Sequence, residues 1–233
     1  MRSSKAFIIL VCLLISANFS HAQSYLDLSI GSTQQDNFAI QLSGRKHLGP
    51  NFRAGLQLQY GSPNYRFIEA RPIQNEGYAF LVSIPLSFKI YEQEEIQLWT
   101  FLNPGLRFQG VIDPDENDQR DSILNSTAFV AEAGLLVNIS LNERTHFLSG
   151  VSFPLAFELD PSNLFEMQAT LVHAGLSVQS KGGNTFFFKG NMGPAFGANG
   201  DTQKFLWALQ AGIRFSLSKN SSSSTSAFIE SSL

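Results

Sequence analysis

The chain has 233 residues, of which 43% are hydrophobic and only 15% charged, against the ~25% charged typical of soluble domains. A formal net charge of −3, with Lys and Arg scattered rather than clustered, excludes a nucleic-acid-binding surface. The one cysteine, Cys12, excludes an internal disulfide framework and a cysteine metal site.

Arg2 and Lys5 precede a nearly continuous apolar run over 6–17, and Ser20-His21-Ala22 supplies small residues at its outer two positions. That order predicts a secretory signal peptide over 1–22, cut at about Ala22. Losing Arg2 and Lys5 takes Lys+Arg from 16 to 14 against 19 Asp+Glu, for a mature net charge of −5. No long apolar run follows Gln23, so any membrane crossing must use strands.

The remainder alternates with a period of two, the strand signature. Strands are predicted at 25–31, 38–45, 52–61, 78–91, 96–111, 129–141, 145–158, 165–179, 186–192 and 205–217. The last shows the pattern best: Phe205, Trp207, Leu209, Ala211, Ile213, Phe215 and Leu217 share one face. Two irregularities stand out. Trp99 and Phe101 fall on the polar parity of the fifth strand, so they fill the interior or a bulge shifts the parity. The eighth strand slips from Phe165, Met167, Ala169 and Leu171 to Val172, Ala174 and Leu176, which predicts a bulge near Leu171. Pro85, Pro104, Pro154 and Pro194 lie inside predicted strands and call for bulges, widened pairing or shorter strands.

Connections after even strands are all short, and both long ones, 62–76 and 113–125, follow odd strands. Short periplasmic turns and longer outer loops mark a membrane barrel, with both termini in the periplasm. The expected fold is therefore all-β: a single closed antiparallel up-and-down transmembrane barrel of about ten strands over 23–218, eight being the closest variant. A Ser-rich tail over 219–233 is expected to be disordered.

The polar parity is mostly Gly, Ser, Ala, Gln and Asn, with Asp27, Arg45, Arg53, Lys89, Arg107, Glu132 and Arg214 interspersed. Such a face suits a narrow lumen, where opposite charges pair structurally. A water-facing outer surface would carry more Lys, Glu and Thr. A soluble lipocalin-like barrel binding an apolar ligand is the alternative, with the same alternation turned inside out.

Ile84-Pro85-Leu86-Ser87-Phe88-Lys89 followed by Asn103-Pro104-Gly105-Leu106 resembles the PorT-like family of small outer-membrane β-barrels, as does the closing Ala211-Gly212-Ile213-Arg214-Phe215. Phe153-Pro154-Leu155 repeats the first motif weakly. The resemblance implies a membrane barrel and no catalytic residues. A protein-secretion association is its weakest implication.

Candidate chemistry is sparse. Beyond the leader only His47, His146 and His173 remain, on separate segments. His173 near Ser177 is the one faint pair for a barrel enzyme that modifies lipid. Asp113, Asp115, Asn117, Asp118 and Asp121 space oxygen ligands as a calcium loop does, but Asp118 and Leu124 stand where an EF-hand needs glycine and glutamate. A solvated acidic loop is the plainer reading. The sequence thus predicts a non-enzymatic integral outer-membrane protein without cofactor or catalytic site. Its expected role is structural, binding or associated with secretion or assembly. Its expected contacts are outer-membrane lipid, the barrel assembly machinery during insertion, and a secretion-machinery or envelope partner.

Overall fold

Strict alternation lets each strand bury one face and expose the other, and closure of the sheet satisfies every edge. The computed structural model describes residues 24–33, 38–61, 77–113, 122–160, 165–197 and 203–217. The strands are β1 (Ser24–Thr33), β2 (Phe38–His47), β3 (Phe52–Gly61), β4 (Gly77–Ser83), β5 (Leu86–Gln93), β6 (Ile96–Asp113), β7 (Ser122–Ser140), β8 (Thr145–Asp160), β9 (Phe165–Ala169), β10 (Leu171–Gln179), β11 (Thr185–Gly197) and β12 (Gln203–Ser216). Each pairs antiparallel with its neighbours, and β12 pairs back onto β1.

The twelve segments make a closed barrel of ten strands. β4 and β5 are one crossing: Gln57 faces Ser83 and Ala54 faces Leu86, so the register is continuous past Pro85. β9 and β10 are likewise one crossing, with Leu155 opposite Gln168 and Ser152 opposite Leu171. This corrects the bulge expected near Leu171. Ala169 and Leu171 both point inward and pack with Ala195, so the apparent slip is a pair of apolar residues on the inner face. The register shifts fall elsewhere, between Lys89 and Tyr91, Thr127 and Ala128, and Ala156 and Phe157.

None of those shifts falls at a proline. Pro85 separates β4 from β5, yet its carbonyl accepts from Gly55 N at 3.0 Å. Pro104 accepts from Ile84 N at 2.9 Å and Pro194 from Thr170 N at 3.0 Å. Each of these three loses only the bond its own N–H would donate. Pro154 sits in the ladder opposite Glu132.

The exterior is apolar. Leu28, Ile30, Phe88, Leu102, Leu135, Phe153, Leu176, Phe188 and Leu209 are all exposed, whereas Asp27, Ser43, Gln57, Asn138, Ser152 and Arg214 are buried. A soluble barrel has the reverse arrangement, so the lipocalin-like alternative fails on the direction of the faces. Outward-facing Tyr78 and Tyr91 bracket Phe88 and Ile90 on the β4–β5 crossing. That length is ~43 Å along the strand and ~30 Å along the normal at a tilt near 45°, the thickness of a hydrocarbon core.

The β6–β7 hairpin is longer than the alternation suggested. Its ladder runs from Ile96–Ile139 to Asp113–Ser122, so positions 122–125, read from sequence as part of the long connection, are strand. From Asn125 outward, at and beyond the level of Tyr78, no lipid selects apolar outward residues, and the period fades while the pairing continues. The described connections, at 48–51, 94–95, 141–144 and 180–184, share one end of the barrel with both chain ends of the sheet. At one of them Gly183 adopts φ +86°, which a side chain would resist.

Candidate functional site in the barrel lumen

The seven charges read from the polar parity all lie on inner-face positions. Asp27, Arg45, Arg53, Arg107, Glu132 and Arg214 are buried, and the Lys89 side chain is 13% exposed. Their groupings were not legible from sequence. Arg214 Nε and Nη2 donate to Asp27 Oδ1 and Oδ2 at 2.7 and 2.8 Å, a fork that joins the last strand to the first. The same guanidinium lies 4.0 Å from the Tyr25 ring centre, and Tyr25 meets His47 edge-on at 6.4 Å.

Trp99 is also fully buried in the lumen. The Arg53 guanidinium lies 3.8 Å over its ring and Lys89 Nζ lies 5.8 Å from it. Lys89 Nζ donates to Glu92 Oε2 at 2.5 Å, Gln97 Nε2 to Glu92 Oε1 at 2.6 Å, and Trp99 Nε1 to Gln97 Oε1 at 3.3 Å. Trp99 therefore fills the interior, as does Phe101, and with Leu136, Leu148 and Phe187 they form an apolar plug.

The wall makes room for that plug with glycine. Phe101 faces Gly134, Leu136 faces Gly150, and Phe187 faces Gly212 across the ladder. A Cβ on Gly212 would lie 2.5 Å from Phe187 Cζ, and one on Gly150 would lie 2.4 Å from Leu136 Cδ2. Bulky side chains lying over cross-strand glycines fill the bore without widening it. An amide network lines the opposite wall: Gln41 Nε2 donates to Gln57 Oε1 at 3.0 Å, and Gln210 Nε2 to Gln41 Oε1 at 2.9 Å and to Ser29 Oγ.

His173 does not partner Ser177. Its Nε2 lies 2.7 Å from Ser152 Oγ and 3.9 Å from Glu132 Oε1, in the lumen and away from lipid. No bulge carries it. Serine and carboxylate approach the same ring nitrogen, whereas a relay needs them on opposite nitrogens. His146 pairs separately, Nδ1 to Ser140 Oγ at 3.1 Å. Lys189 is a further buried inner-face charge. Its parity opposite Phe186 and Phe188 was the signal that could have placed it with the others.

Asp113 ends β6 opposite Ser122, and Asp115, Asn117, Asp118 and Asp121 lie outside the described residues, as do the expected signal peptide and tail. Among the described residues no three His, Cys, Asp or Glu side chains gather as metal ligands.

No family model matches the chain and no curated protein matches its sequence. Among solved structures, it is similar to the β domain of the Bordetella autotransporter BrkA: TM-score 0.52 and 15% identity, covering 84% of this chain and 99% of that one. It is also similar to the translocator domain of the autotransporter NalP from Neisseria meningitidis: TM-score 0.51 and 10% identity, covering 92% and 97%. The outer membrane protease OmpT from Escherichia coli is a looser likeness, with TM-score 0.41 and 8% identity over 84% and 94%. At such identities the likeness concerns backbone architecture, and the architecture is that of an outer-membrane β-barrel.

Proposed function

We propose that this chain is a plugged, non-enzymatic integral protein of the bacterial outer membrane. It serves as a binding, structural or secretion- and assembly-associated component rather than as a pore. The observation that carries this reading is the apolar plug of Trp99, Phe101, Leu136, Leu148 and Phe187, set against glycine in the wall. A filled bore passes no solute, and lumenal pairs held by neighbouring side chains are structural supports. Absence of catalysis is supported by His173, which faces away from lipid and lacks relay geometry. The PorT-like motifs around Pro85 and Pro104 favour membership of that family. The contacts that follow are outer-membrane lipid, the assembly machinery during insertion, and an envelope or secretion-machinery protein.

Two measurements test this. Protein reconstituted in planar bilayers should give little or no steady conductance, and a stable large conductance overturns the plug. Unboiled samples should migrate differently from boiled ones on detergent gels, and recovery as a soluble monomer without detergent overturns the membrane assignment. Orientation follows from the turns: Gly183→Cys and Asn142→Cys in a Cys12→Ala background should label only after the outer membrane is opened. Ser122→Cys, at the other end, should label on intact cells.

A further inference from the structure

We infer that the buried Asp27–Arg214 pair sets the register in which the first and last strands close the barrel. Every other neighbouring pair of crossings is joined by a connection whose length limits how far the strands can slide. The β1–β12 seam has no such tether, because its strands are the two ends of the sheet. The lipid face does not discriminate there. Leu26, Leu28 and Ile30 meet Phe215, Ile213 and Ala211, and a slide of two residues still sets apolar residues against apolar residues.

The lumen face does discriminate. In the observed register Asp27 lies directly opposite Arg214, and the two side chains close a bidentate pair at 2.7 and 2.8 Å. Sliding by two would set Asp27 against Gly212 or Ser216 and separate two charges in a buried interior. That cost is large because neither charge recovers water. Tyr25 reinforces the choice by holding the guanidinium 4.0 Å from its ring, and Gln210 donates across the same seam to Ser29. Leu217 N donates to Ser24 O at 2.9 Å, so the seam remains paired to its end.

The test is disulfide trapping in the full chain carrying Cys12→Ala. Leu28→Cys with Ile213→Cys reports the observed register, while Leu28→Cys with Ala211→Cys or Phe215→Cys reports slides of two. The parent protein should cross-link the first pair. In the Asp27→Leu/Arg214→Leu background, which removes both buried charges together, slipped cross-links should rise on the order of tenfold over the parent. The swap Asp27→Arg/Arg214→Asp should return them to the parent level. Observed-register cross-links alone in the leucine background overturn the inference, as do slipped cross-links in the swap equal to those in the leucine background. Should the leucine background lose its heat-modifiable band, the swap decides. A folded swap in the observed register sustains the inference, and an unfolded one overturns it.

Discussion

The two faces of each strand are built under different rules. Outside, Leu28, Leu102, Leu135, Leu176 and Leu209 need only be apolar, because lipid has no fixed shape to match. Inside, Trp99 lies under Arg53, Leu136 against Gly150, and Arg214 on Asp27, each with a partner of specified shape or charge. Depth in the bilayer therefore governs the cost of an outward substitution, and the identity of the neighbour governs an inward one.

The largest expected effect is inward. Trp99→Ala removes the centre of the plug, leaves Arg53 without its ring, and should cost about 3–5 kcal/mol. Urea unfolding in lipid vesicles measures it, and the same variant should show conductance where the parent shows none. Outward, Leu102→Arg places a charge in the apolar belt and should cost about 2–4 kcal/mol in the same assay. A much smaller loss would mean that Leu102 lies near an interface. Gly150→Ala comes next, at about 1–3 kcal/mol, because its methyl would meet the carbonyl of Leu135 at 2.3 Å as well as the Leu136 side chain. The smallest effect sharpens the contrast. Ser152→Ala removes one lumenal hydrogen bond from His173 and should cost about 1 kcal/mol. Leu209→Met, on the lipid face, should fall below that. If the lipid-face swap costs more than the lumenal one, the distinction between the two faces collapses.

The sequence by itself determined the strand period, the even strand count, the facing of Asp27, Arg45, Arg53, Lys89, Arg107, Glu132 and Arg214, and the end of the barrel that carries the short turns. All of these follow from alternation and connection length, which are local and can be read along the chain. It misplaced what local pattern does not encode. The apolar Ala169 and Leu171 suggested a slipped strand, because nothing local distinguishes an apolar residue facing lipid from one packed inward on Ala195. Positions 122–125 looked like loop, because their strand character rests on pairing with 110–113 rather than on hydrophobicity. His173 was matched to its sequence neighbour Ser177, whereas its partner Ser152 lies on the adjoining strand. Which lumenal side chains meet across the bore was decided only by the tertiary structure. Register and closure together bring residues as distant as Asp27 and Arg214 into one ion pair, and both are properties of the whole sheet.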